Sequence, residues 1–268
     1  MKPRWIPVAA AAAAVVTVAP IAFAAGSART GALALKADFS VNSQPGSCPA
    51  GSAADLCAAR EGRAVIPGLG NVLESYSYPV LQEPPGCPVD SRRILPYTVR
   101  FTVAGKGDIF LAVPGSAEAC LPEGTAKGQS LGPTYGPIAV TGGSGVYAGA
   151  SGTFTLEHHL NFSAAGASGT DAWAGTLAVP GLEFDLTPPT MSGAVDKTVR
   201  APKHAKRVRV KYAVTAQDDV DGAVPASCEP KSESRFKVGR TTTVKCSATD
   251  SSANTATATF RVTVKRGR

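Results

Sequence analysis

The chain has no stretch that reads as a capped amphipathic helix, while Gly, Pro and Thr are spread throughout, and the class that remains is all-β. Beyond the first two dozen residues no run approaches the ~18 apolar residues of a membrane helix, so no membrane span is expected once that leader is removed. No cysteine pair has Cys-x-x-Cys spacing and no histidine sits near one, which removes the usual zinc sites. Gly-x-Ser-x-Gly elbows, paired-carboxylate motifs and metal-ligand clusters are absent too, so the common signatures of an enzyme are missing and no cofactor is expected. A Ser/His/Asp triad stays open, because its members need not be close in sequence. Aromatic residues are 6% of the chain and do not interleave with the basic ones, so no nucleic-acid partner is expected.

What is present begins with an export leader. Lys2 and Arg4 form a basic start, Ile6 to Ala19 an apolar stretch, and Ala22-Phe23-Ala24 a small-x-small cleavage site. Residues 1–24 therefore read as a signal peptide and the mature protein as secreted. Six cysteines suit that oxidising destination. They allow about 15 pairings, of which locality favours Cys48–Cys57, Cys87–Cys120 and Cys228–Cys246. Charge divides the mature chain. Residues 25–185 hold 9 Lys/Arg and 13 Asp/Glu, a net −4, whereas residues 186–268 hold 16 and 7, a net +9. The basic half asks for an anionic partner.

Period-two alternation dominates the first region, expected to be a disulfide-stapled β-barrel-like domain over 25–185. Leu33 to Val41, Ile94 to Val103, Asp108 to Val113 and Thr153 to Ser163 are the clearest strands. Residues 42–62 and 117–137 read as loops, and Val65 to Val80 as one or two short strands broken at Pro67-Gly68 and at Pro79. On the strand after residue 152, Phe154, Leu156, His158, Leu160 and Phe162 share the inward face. His158 is the one ionisable group among them, and so a candidate for a ligand pocket.

The run before that strand, Thr141-Gly-Gly-Ser-Gly-Val-Tyr-Ala-Gly-Ala-Ser-Gly-Thr-Phe154, cannot be a phosphate loop, because a strand follows it rather than a helix. It resembles a glycine-rich segment of allene oxide cyclase and dirigent-like proteins. That resemblance implies a closed antiparallel barrel with an interior for apolar ligands.

The second region, 186–268, carries a longer pattern. Asp185-Leu-Thr-Pro-Pro opens it, and an inward face of Val208, Val210, Tyr212 and Val214 follows. Then come Asp218-Asp219-Val220-Asp221-Gly222, Cys228-Glu-Pro230, Phe236-Lys-Val-Gly239 and a strand pair, Thr243–Thr249 and Thr255–Val264, joined by a turn at Asp250–Asn254. This order resembles the hyalin repeat (HYR) domain, with Glu233 and Ala253 standing where that family usually has Gly. The resemblance implies an immunoglobulin-like sandwich and a part in extracellular adhesion or docking. Asn254 is expected to take the left-handed turn position in Ala253's place.

Arg207, Arg209 and Lys211 line one strand face and are candidates to meet an anionic surface polymer or an extracellular protein. Asp218, Asp219 and Asp221 can supply oxygens to calcium, although their spacing is not that of an EF-hand loop and Asp-Gly is first a turn signal. The functional expectation is an exported, non-catalytic HYR protein acting in adhesion or docking. The alternative is an N-terminal barrel that binds an apolar small molecule, as carrier or cyclase-like isomerase.

Overall fold

The computed structural model describes residues 29–48, 53–54, 56–82, 85–86, 91–115, 121–122, 134–163 and 166–267. Eight long strands carry the first region: β1 (Ala32–Gly46), β2 (Leu56–Ile66), β3 (Gly70–Gln82), β4 (Tyr97–Val103), β5 (Gly107–Val113), β6 (Thr134–Gly143), β7 (Ser151–Ser163) and β8 (Gly166–Ala178). Each pairs antiparallel with its neighbours in sequence, and β8 returns to β1 with Ala178 opposite Ala32, so the meander closes into an eight-stranded barrel. Closure leaves no barrel edge unpaired. Eight strands also make a lumen that side chains can fill.

Alternation decides what fills it. On β1 the inward residues are Leu33, Leu35, Ala37, Phe39, Val41 and Ser43, and on β4 Tyr97, Val99, Phe101 and Val103. Midway along the axis Phe39 stacks on Phe101 with centroids 5.0 Å apart, and Trp173 meets Phe101 edge-on at 5.2 Å. The lumen is a packed core at this level.

The two ends differ. At one end the connections are short: 67–69, 104–106 and 144–150. The glycine-rich run seals part of this end through a single 3-10 turn, Gly145–Tyr147, which buries Tyr147. Gly145 (φ +60) lies so close to the β4–β5 turn that an added Cβ would fall 2.2 Å from the Lys106 carbonyl oxygen, which fixes glycine there. At the other end fall the connections 47–55, 83–96, 114–133 and 164–165, and within the second Ser91–Ile94 pairs with β3.

Much of the loop expected over 42–62 is strand, as is the end of the one expected over 117–137, of which 117–120 and 123–133 lie outside the described residues. β1 continues to Gly46 and β2 starts at Leu56, and β6 already starts at Thr134. Ala, Gly, Ser and Pro are weak strand formers, yet pairing with neighbouring strands carries them. Pro79 does not end β3: its carbonyl accepts from the Leu95 amide at 2.9 Å.

The C-terminal part is an immunoglobulin-like sandwich of short sheets. One sheet orders Lys197–Arg200, Thr255–Lys265, Arg240–Thr249 and Ala226–Glu229; another orders Thr190–Ser192, Thr215–Asp218 and Gly222–Val224; a ribbon joins Arg207–Arg209 to Arg235–Lys237. Val210, Phe236, Val244, Phe260, Val262 and Val264 form its core. Disulfides join Cys48 to Cys57 and Cys228 to Cys246, the latter two directly opposite on paired strands. Cys87 and Cys120 lie outside the described residues. The left-handed position in the Asp250–Asn254 turn belongs to Ala253 (φ +66), not to Asn254. Asn254 is buried instead, its Nδ2 donating to the Asp185 carbonyl at 3.0 Å and to Asp250 Oδ2 at 2.9 Å. That side-chain duty explains the correction. The sandwich touches the sealed end of the barrel, where the Gly68 amide donates to the Ser252 carbonyl at 2.7 Å.

Candidate functional site

Toward the end with the long connections, the barrel lining turns from apolar to polar. Arg60 on β2 points inward and is 4% exposed. Its Nε donates to Ser43 Oγ at 3.1 Å, Nη1 to the Tyr76 hydroxyl at 2.8 Å and to both oxygens of Asp171 at 3.2 and 3.3 Å, and Nη2 to the Tyr78 hydroxyl at 3.4 Å. The guanidinium also lies over the Tyr76 and Tyr78 rings, 5.4 and 5.0 Å from their centroids. Asp171 on β8 accepts in turn from Tyr76 Oη at 2.6 Å and sits 2.5 Å from His158 Nδ1. That distance makes Nδ1–H the donor to Asp171, so the 3.1 Å approach of Arg60 Nη1 to the same nitrogen is contact rather than a hydrogen bond.

The electrostatics follow from burial and pairing. Burial by itself would push the Asp171 carboxyl up, but the hydrogen bond and charge of His158, the Arg60 guanidinium and the Tyr76 hydroxyl together hold it below its ordinary value. Arg60 loses hydration, yet Tyr76 and Asp171 hold its proton more tightly than in water. Burial raises the phenols of Tyr76 and Tyr97 well above their ordinary value and pushes Tyr135 up to about 12, so these hydroxyls are neutral donors. One level deeper, Glu74 is fully buried; its Oε1 accepts from Trp173 Nε1 at 2.8 Å, while Oε2 has no partner. Burial, and then repulsion from Asp171, raise its pKa well above the ordinary value.

Chemically this network is an anchor. Both carboxylate oxygens of Asp171 are engaged and Arg60 donates from all three nitrogens, so neither is free to act on a substrate. An unspent polar group beside it is the Tyr135 hydroxyl, buried without a partner, its ring edge-on to His158 at 5.4 Å. His159 faces outward beside Glu157, 3.4 Å away.

On the sandwich, Arg207 and Arg209 occupy the two-stranded ribbon, where Arg207 stands opposite Lys237 and Arg209 opposite Arg235. All four are exposed on one face, and none has an acidic group within ion-pair distance among the described residues. Like charges directly opposed across strands are unfavourable. Lys211 lies beyond the ribbon, 3.8 Å from Glu233. Of the acidic candidates, Asp218 is buried, whereas Asp219 and Asp221 are exposed. Asp221 accepts from the amide and hydroxyl of Ser251 at 2.6 and 2.8 Å. Asp219 and Asp221 do not converge with Asp218; Asp185 and Asp250 do.

Sequence reasoning found His158 but missed Arg60, Glu74 and Asp171. Parity was the available signal. Arg60 shares the face of Ile66, Glu74 that of Val72 and Tyr76, and Asp171 that of Trp173 and Leu177.

Residues 184–264 match the family model of the HYR domain. No curated protein and no solved structure matches the chain. The match falls in the C-terminal third, and the HYR domain is a family often linked to adhesion; the first region is a closed eight-stranded barrel, with no match to the allene oxide cyclase or dirigent-like proteins. Among the described residues no helix is long and apolar enough to cross a membrane, which says nothing of barrels.

Proposed function

We propose that this protein is exported and acts outside the cell by docking on an anionic surface polymer through its HYR domain. The observation that carries the reading is the ribbon on which Arg207 faces Lys237 and Arg209 faces Arg235. Two like-charged cross-strand pairs cost stability in the free protein, and an anionic partner offsets that cost. The net +9 over residues 186–268 and the two disulfides agree with such a role.

The test is fractionation of source cells secreting the full chain or a variant with Arg207→Ser, Arg209→Ser, Arg235→Ser and Lys237→Ser. Wild type is expected to stay with the cells and to wash off as salt rises, since screening contracts to about 3 Å at 1 M. The variant is expected in the medium. Equal retention of both proteins would rule the ribbon out.

A second reading concerns the barrel. The buried, unpartnered Tyr135 hydroxyl beside the Arg60–Asp171–His158 network suits the polar head of an otherwise apolar small molecule. Extraction of the purified protein followed by mass spectrometry would then yield a compound that Tyr135→Phe loses. A Tyr135→Phe variant that is as stable as wild type, with nothing extracted from either, would mark the network as plain core.

A further inference from the structure

Three carboxylates from distant parts of the chain meet where the barrel hands over to the sandwich. Asp185 ends the short strand Phe184–Asp185, which leaves the barrel; Asp218 ends Thr215–Asp218; Asp250 follows Arg240–Thr249. They are 7%, 5% and 8% exposed, and one oxygen from each lies within 4.8 Å of the others.

Backbone amides fix each side chain through one oxygen. Thr187 donates to Asp185 Oδ1 at 2.9 Å, Val220 and Asp221 to Asp218 Oδ1 at 2.9 Å, and Ser252 and Asn254 to Asp250 Oδ1 at 2.9 and 2.8 Å. The second oxygens of Asp185 and Asp218 are buried and accept no hydrogen bond. No Lys, Arg or His pairs with any of the three among the described residues. Three buried carboxylates with no counter-charge, two of them with an orphaned oxygen, are an unfavourable arrangement by themselves.

We propose that Asp185, Asp218 and Asp250 bind one calcium ion at the junction of barrel and sandwich. The donors are all hard oxygens, without the nitrogen or sulfur that zinc prefers. Mutual spacings up to 4.8 Å fit around one ion with contacts of about 2.3–2.6 Å, which is calcium's range and wider than magnesium's. The ion supplies the missing counter-charge. It also ties Asp185, on the segment leaving the barrel, to two loops of the sandwich, beside the Gly68–Ser252 contact. This inference stands apart from the cationic ribbon and does not depend on it.

The experiment uses the full mature chain stripped with chelator. Calorimetric titration with calcium chloride is expected to give one site, with a dissociation constant of about 0.1–1 mM, the range of extracellular modules. About 10 mM calcium should raise the thermal midpoint of the C-terminal part by roughly 5 °C or more, and magnesium by less. Asp218→Asn should abolish the response, while Glu157→Gln, an exposed carboxylate on the barrel, should keep it. Should Asp218→Asn fail to fold, the wild-type titration decides by itself. No heat and no shift in the wild type up to about 10 mM overturns the proposal. So does an equal calcium response in a folded Asp218→Asn variant.

Discussion

Three residues of the sandwich, His204 among them, hold the backbone where side chains rarely go. Glu233 has φ +68 and Ala253 φ +66, both in the left-handed region. They are also the two positions at which the sequence departs from the HYR pattern by lacking glycine. An L-residue there costs roughly 1–2 kcal/mol, part of which a glycine returns through its freer unfolded state. Ala253→Gly is therefore expected to stabilise the sandwich by roughly 0.5–1 kcal/mol, measured as a higher denaturant midpoint. An unchanged or lower midpoint would show that this turn is not strained. Asn254, one residue on, illustrates how a local rule is overridden: its side chain has better use holding Asp185 and Asp250 than its backbone has in the turn.

Strands show the same division. Where alternation is clean, as over Leu33 to Val41 and Thr243 to Thr249, the faces read from sequence are the faces observed. Cys228 and Cys246, expected to pair because they are near in sequence, meet because their strands are in register. Small residues hid the rest. Residues 42–46 and 56–62 read as loop because Ser, Ala and Gly pack weakly, but they are strand because they pair with each other and 56–62 pair with β3 as well. Gly62 has a packing role as well. It stands opposite Glu74, and an added Cβ would come within 2.9 Å of Glu74 Oε2, so the missing side chain on β2 houses the carboxyl of β3.

For the whole molecule, the barrel turns buried charge into pH dependence. Glu74's folded carboxyl keeps its proton well above the ordinary 4.5, so its contribution to stability is full below about that pH and is lost as pH rises through the folded value. Asp171 runs the other way: its folded value lies below 3.8, and its contribution is lost only as pH falls through that lower value. Above pH 4.5 the Glu74 effect governs. Glu74→Gln keeps an acceptor for Trp173 and removes the titration, so its stability should fall less with rising pH than that of wild type, and it should be the more stable protein at neutral pH. Chemical denaturation across pH 4–9 checks this; two parallel profiles would mean that Glu74 is not the group titrating.

The sequence by itself determined the all-β class, the inward face of the cleanly alternating strands and the HYR pattern, and by locality it favoured the two disulfides described, because alternation, turn residues and motif spacing are properties of neighbouring residues. Only the tertiary structure decided that Arg60 and Asp171, 111 residues apart, share hydrogen bonds inside a barrel that closes β8 on β1, and that Asp185, Asp218 and Asp250 converge in place of Asp219 and Asp221. The reason is one of range. A strand's period says which way a side chain points, but what it meets across a closed lumen or a junction depends on strands paired far along the chain.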